Sequence, residues 1–295
     1  MHIRHVLVPV DLSPLSLRSV ELGVEVCRAF GARLVLHHNQ HGAPPAMARG
    51  WDWEEQHRAT QGRTSSVERA LRDLERSVPV EVPVDIAVTR GVAVPAILAL
   101  AETIPADLVI VASHGGDSAD HSSIVQRLIG QAPCPVLALQ EGMSHPGPLH
   151  LLGEGAEVVV PTDFSAASDA VLGYVFALAR VLPLRLRLLH VLGVERLPAM
   201  MPGDVVGGLD PAELESETRA RLYALVPPDL VARVTCAVAA GSATGGIVAA
   251  CGGADFLVMG EHARGLRGFF THDTARDVLR HAPCPVWFVP PRLAA

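Results

Sequence analysis

The sequence predicts an α/β protein built from two tandem five-stranded parallel-sheet domains of the Rossmann-like kind, each with helices on both faces. Three observations predict it. The chain of 295 residues is close to twice the common domain size. Short apolar runs alternate with helical patterns along its whole length. A repeat also recurs at a near-constant offset: HVLVPVDLSPLS at His5–Ser16 matches EVVVPTDFSAAS at Glu157–Ser168. ADLVIVASHG at Ala106–Gly115 matches ADFLVMGEHA at Ala254–Ala263, and APCPVLAL at Ala132–Leu139 matches APCPVWFV at Ala282–Val289. Asp11 and Asp163 are 152 positions apart, Gly91 and Gly241 150, His114 and His262 148. Such constancy marks a duplicated domain rather than a small solenoid repeat. The domains are placed at residues 1–140 and 157–295, with the Gly/Pro-rich stretch 141–156 (EGMSHPGPLHLLGEGA) as linker.

The first strand of copy one is expected over His5–Val10. The helix after it is well marked, because Ser13 suits an N-cap, Pro14 the first helical position and Gly31 the stop. Its apolar positions Val20, Val24 and Cys27 share one face. Further strands are expected at Arg33–His37, Val82–Val88, Leu108–Ala112 and Val136–Leu139, whose Val/Ile/Leu density suits strands buried on both faces. Copy two repeats the pattern with Ser165 as cap, and Asp210–Pro211 opens another helix. The order β-α-β-α-β-α-β-α-β requires a parallel sheet with helices on both sides. Such a sheet takes ligands at the C-terminal strand ends where strand order reverses, so the loops after the first and fourth strands are the places to look.

Pro133, Pro135, Pro283 and Pro285 remove N–H donors at the start of each last strand, a position where proline is tolerated. An edge strand as apolar as VLAL or VWFV would invite pairing. The two last strands are therefore expected to pair with each other, as an intramolecular pseudo-dimer. The long segments after strand two, residues 39–60 with Trp51-Asp52-Trp53 and residues 193–210, suit lids, partner surfaces or ordinary helix packing.

Composition narrows the function. With 49% hydrophobic and 4% aromatic residues, the cores are aliphatic. The net charge of −7, with arginines scattered among acids, excludes the clustered basic face of a nucleic-acid or anionic-membrane binder. No apolar stretch approaches the roughly 20 residues of a membrane span. Met1–Asp11 has no apolar run before a small-residue cleavage site, so no signal peptide is expected. Five cysteines without a CxxC suit reduced thiols in the cytoplasm. Cys134 and Cys284 each lie between two prolines. The sequence shows neither a lowered pKa nor a partner thiol for them, so they are expected to be buried structural thiols.

Five features recur in order in both copies. They are VPVD or VPTD at the end of strand one, Leu36-His37-His38 or Leu189-His190-Val191 at the end of strand two, and a glycine (Gly91, Gly241) leaving strand three. Strand four then ends near SHG or EHA, and APCPV precedes the last strand. Together they resemble the universal stress protein family over nearly all of both halves. The resemblance implies strand order 3-2-1-4-5, dimerisation through the last strand, with a homodimer as a further arrangement, and a role in stress survival. Many members bind ATP through a loop of the form G-x-x-G, nine residues, then G-Ser/Thr. There glycines let backbone N–H groups approach phosphates at a helix N-terminus.

Both copies depart from that loop. In copy one, Ala112-Ser113-His114-Gly115 lacks the first glycine, and Gly116–His121, which carries Asp117 and Asp120, leads to Ser122-Ser123 in place of Gly-Ser. In copy two, Gly260-Glu261-His262-Ala263 lacks the second glycine, and His272-Asp273 stands in place of Gly-Ser. A carboxylate there repels a triphosphate unless a cation intervenes. Asp273 also suits an N-cap for a helix over Thr274–Arg280. The candidate nucleotide set is Asp11, His38, Ala112, His114, Gly115, Ser122 and Ser123 in copy one, with Asp163, Gly260, His262 and Gly265 in copy two. The ligand implied is ATP or another adenine nucleotide, with Mg only alongside it.

No Ser/His/Asp order, HExxH or Walker lysine appears, so robust catalysis is not expected, and any ATPase would be slow and depend on Ser122, Ser123 and His114. Two alternatives stay open: a structural dimerisation scaffold without a small ligand, and a metal-binding variant. The latter would use Asp11, His38 and His114, or Asp163, His190 and His262, with His37 and His41 nearby.

Overall fold

In a computed structural model, residues 1–40, 66–113, 119–143, 152–193, 211–260 and 272–290 are described. The Trp51-Asp52-Trp53 stretch, most of both long segments after strand two, and residues 144–151 of the 141–156 linker lie outside them. The chain divides into two compact units, residues 2–112 and residues 113–295 with Met1.

Within residues 2–112, β1 (His5–Pro9) lies between β2 (Arg33–Gln40) and β4 (Leu108–Ser113), and β3 (Val84–Arg90) flanks β2. All these pairings are parallel, and the order is 3-2-1-4. Val6, Leu7 and Val8 of β1 are fully buried, as are Leu108, Val109 and Ile110 of β4, the two-faced burial that their unbroken apolar runs require. α1 (Pro14–Phe30) packs on β1 and β2. Residues 66–77 form the helix α2, and α3 (Ala93–Thr103) leads into β4.

The caps explain where α1 begins and ends. The Ser13 hydroxyl accepts from the Ser16 N–H at 3.2 Å, Pro14 opens the helix, and Gly31 closes it at φ 66, where glycine escapes the Cβ penalty. Gly91 and Gly241 leave β3 and its counterpart at φ 113 and 134, a region that side chains with a Cβ rarely adopt. Their N–H groups donate to the carbonyls of Gln40 and Leu192.

The second unit contains α4 (Ala119–Gln131), β5 (Val136–Gln140), β6 (Glu157–Pro161), α5 (Ala166–Val181) and β7 (Arg185–Leu192). It continues with α6 (Pro211–Ala224), a 3-10 turn at Pro228–Arg233, β8 (Val234–Ala240), α7 (Ala243–Ala250), β9 (Phe256–Gly260), α8 (His272–His281) and β10 (Val286–Val289). The five strands of copy two run in the expected order 3-2-1-4-5, as β8-β7-β6-β9-β10. The expected pairing of the two last strands is present: β10 pairs antiparallel with β5, with Trp287 opposite Leu137. Those two residues are equivalents in the repeat, so the strands meet as a twofold would bring them. Trp287 is buried against Phe256 and Tyr174, with ring centroids 6.0 and 6.2 Å away. Pro285 has no N–H to give, but its carbonyl still joins the ladder by accepting from the Leu257 N–H at 2.9 Å.

The structure adjusts the expected strand limits. β2 runs on to Gln40, because His38, Asn39 and Gln40 pair with Val88, Thr89 and Arg90 of β3. β3 starts at Val84 rather than Val82, whose N–H turns back to the Pro79 carbonyl. The Asp of each ADLV/ADFL motif is structural. Asp107 accepts from the N–H groups of Arg4 and His5, and Asp255 from that of Glu157, closing the start of each first strand. No described helix is long and apolar enough to cross a membrane.

Candidate functional site

In both copies the chain leaves the first strand and meets the head of the first helix in one conformation. Leu12 and Phe164 sit at φ 65 and 60, the left-handed region, and Asp11 and Asp163 each accept through Oδ1 from the N–H two residues on, at 2.9 and 3.0 Å. The second strand is tied to the same place. The N–H groups of Val10 and Thr162 donate to the carbonyls of His37 and Leu189. The Nδ1–H of His38 donates to the Val10 carbonyl at 2.8 Å, and that of His190 to the Thr162 carbonyl at 2.8 Å. Each bond fixes its imidazole at the C-terminal strand ends, with Nε2 left as the acceptor nitrogen of the neutral ring. The structure thus brings together Asp11 with His38, and Asp163 with His190, as the topology requires.

The copies then diverge. Asp11 is exposed, and the Ser16 hydroxyl beside it donates to the Ser13 carbonyl at 3.0 Å. In copy two the equivalent hydroxyl, that of Ser168, donates instead to Asp163 Oδ1 at 2.6 Å and accepts from the Asp163 N–H at 3.3 Å. His38 is half-buried, whereas His190 is buried beneath the Phe164 ring, whose centroid lies 4.7 Å from its own. The Arg221 guanidinium also lies over that ring, 3.9 Å from its centroid.

Of the loop residues, Ala112 is the last but one of β4 and half-buried, and Gly260 ends β9. Gly260 has a packing reason, since a Cβ there would stand 2.8 Å from Val171 Cγ2 of α5. Copy one holds Ser19 at the position equivalent to Val171, and alanine at 112. The loop's first glycine is therefore coupled to the helix facing it, which sequence comparison of the loop alone misses. Ser122 and Ser123 lie inside α4, which starts at Ala119, rather than at the turn before it. α8 starts at His272, so Asp273 falls in its first turn rather than at its cap. His114, Gly115, His262 and Gly265 lie outside the described residues.

His37 turns away from His38, as successive strand residues must. Its Nε2–H donates to Thr89 Oγ1 at 2.7 Å, whose hydroxyl donates to Asn39 Oδ1 at 3.0 Å, and Asn39 Nδ2 donates to the Gly91 carbonyl at 2.8 Å. Nδ1 is buried with no hydrogen-bond partner. Burial, with a smaller push from His38, lowers its pKa from 6.5 to about 4 and keeps it neutral. Among the described residues no group of three His, Cys, Asp or Glu could hold a metal ion; His41, His114 and His262 lie outside them.

Cys134 and Cys284 are buried as expected, but the absence of a partner thiol does not hold for Cys284. The fold brings the Cys251 thiol, at the C-cap of α7, into hydrogen-bonding contact with it; that contact, then burial, raises the Cys284 pKa. The thirty-odd positions between the two hid this in the sequence.

A profile of the Universal stress protein family matches residues 2–140 and 156–290. The chain is 30% identical over 142 residues to Universal stress protein A homolog 1 of Coxiella burnetii, covering 47% of this chain and 97% of the relative. Among solved structures, a universal stress protein from Archaeoglobus fulgidus shares the fold at a TM-score of 0.67 and 16% identity, over 98% of this chain and 97% of the other. A functionally unknown protein from Pseudomonas aeruginosa does so at 0.59 and 16%, over 99% and 94%.

Proposed function

The chain belongs to the universal stress protein family, and from that premise we propose that it is a cytoplasmic binding and signalling module in the stress response. Its ligand is an adenine nucleotide, taken up by copy one at the ends of β1, β2 and β4. The repeat divides it at residues 1–140 and 157–295, with 141–156 between. The observation that carries this reading is the state of copy one's strand end. Asp11 is exposed there beside the fixed imidazole of half-buried His38, at the switch point where doubly wound sheets take their ligands. A carboxylate can accept from a ribose hydroxyl or an exocyclic amine, and an imidazole Nε2 from another donor. By the family resemblance, His114, Gly115, Ser122 and Ser123 would serve the phosphates, with Mg entering only alongside the nucleotide. Hydrolysis is slow at most and depends on Ser122, Ser123 and His114, because the loop departs from the family's glycine pattern.

The test is mass spectrometry of the ligand released from freshly purified chain, followed by calorimetric titration with Mg-ATP. Bound adenine nucleotide that is lost in Asp11→Ala and weakened in Ser123→Ala is expected. No released ligand and no heat of binding would remove the nucleotide reading. The chain would then be a scaffold, a reading favoured by the β5–β10 pairing of its last strands.

A further inference from the structure

We propose that the strand ends of copy two are closed by the chain's own Phe164, held against His190 and Arg221, so that the two copies are unequal and copy two excludes the nucleoside that copy one admits. The inference rests on the reading of copy one as a nucleoside site, and it concerns what copy two does with the equivalent groups. Asp163 and His190 stand where Asp11 and His38 stand in copy one. Both are engaged within the chain. Asp163 Oδ1 accepts from the Ser168 hydroxyl at 2.6 Å and the Ser165 N–H at 3.0 Å. His190, 7% exposed, lies under the Phe164 ring at 4.7 Å between centroids, and the Arg221 guanidinium lies 3.9 Å above the same ring.

The stack is assembled from three elements. Phe164 follows β6, His190 is on β7, and Arg221 is on α6, so it closes the space above the ends of two adjacent strands. A guanidinium over an aromatic face is attracted by the ring's quadrupole, and tilted rings in contact add dispersion, so two contacts hold the ring in place. A base entering there would have to displace the ring from both neighbours. Copy one has Leu12 at the equivalent position, in the same backbone conformation at φ 65, and a leucine offers neither a π face nor a cation site. A leucine is thus compatible with this backbone, which makes Phe164→Leu a fair probe.

The experiment counts adenosine molecules bound per full-length chain by equilibrium dialysis. Adenosine is the probe because it carries no phosphate for Asp273 to repel. Wild type is expected to bind one, and Phe164→Leu/Arg221→Ala two. Asp11→Ala is expected to bind none, and the same change added to Phe164→Leu/Arg221→Ala one. Two adenosines on wild type, or one on both wild type and Phe164→Leu/Arg221→Ala, would overturn the closure. If wild type binds none, the reading of copy one falls, and the double variant decides the closure by itself: one adenosine upholds it and none sinks it too. A second measurement needs no ligand. Diethyl pyrocarbonate, followed by peptide mass spectrometry, should modify His38 and spare His190 in wild type, and should reach His190 in the double variant. Equal modification of the two histidines in wild type would also overturn the closure.

Discussion

Replacing His37 by leucine should remove a specific part of this protein's acid sensitivity. His37 is 1% exposed, its Nε2–H is committed to Thr89, and its buried Nδ1 has no hydrogen-bond partner. Protonation would place a charge and an extra N–H donor where nothing accepts them. Burial accordingly holds the folded-state pKa at about 4, below the ordinary 6.5. The sign follows from proton uptake. Between these two values the unfolded chain binds a proton that the folded chain does not, so stability falls as pH drops through 6.5 toward 4 and is indifferent to this group above that window. The shift corresponds to about 3 kcal/mol by pH 4. Leucine is the residue at the equivalent position of copy two, Leu189, which is also buried, so the fold accepts it. Urea unfolding of wild type and His37→Leu at neutral pH and at pH 4 measures the difference. Wild type should lose about 3 kcal/mol more than the variant on acidification. Parallel losses in the two chains would refute the reasoning, because they would mean that His37 charges freely in the folded state.

Three further outcomes are expected. Gly260→Ala should destabilise the chain by about 1–3 kcal/mol, since the new Cβ meets Val171 Cγ2; Val171→Ala, which removes that Cγ2, should recover part of it, and additive losses in a double-mutant cycle would contradict the coupling. Trp287→Ala should cost about 3–5 kcal/mol, because the ring is fully buried beside Phe256 and Tyr174 in the strand that pairs with β5; a loss under about 1 kcal/mol in urea unfolding would show that the pairing does not depend on it. Thiol labelling of the native chain, read by peptide mass spectrometry, should reach half-buried Cys236 before Cys27, Cys251 or Cys284. Burial pushes the Cys27 pKa up to about 12 and that of Cys236 to about 11, and raises that of Cys284 as well. Early labelling of Cys284 would contradict this.

Much of the fold was legible in the sequence because its determinants are local. Buried parallel strands show as unbroken Val/Ile/Leu runs, and the caps Ser13, Ser165 and Gly31 act within a few residues of where they stand. The glycines at 91 and 241 answer a backbone requirement at their own positions. The repeat multiplied each weak signal by two, and pairing of the last strands followed from their apolarity and their prolines. The site was legible only as a set of positions, Asp11 with His38 and Asp163 with His190, which the order of strands places side by side.

What the tertiary structure decided is what those positions are doing. His37 and His38 are neighbours in sequence, yet one is sealed against Thr89 and the other faces the crevice. Ser16 and Ser168 are equivalents, yet one bonds to its own helix and the other to the aspartate. Cys251 reaches Cys284, and Arg221 reaches Phe164, across stretches of chain over which no local pattern carries information. The physical reason is common to all four. Hydrogen-bond partners and ring contacts act over a few ångströms of space, and the packing of distant elements sets which groups come that close. Composition and periodicity record which face of an element is buried, while the identity of the neighbour on that face is known only once the elements have docked.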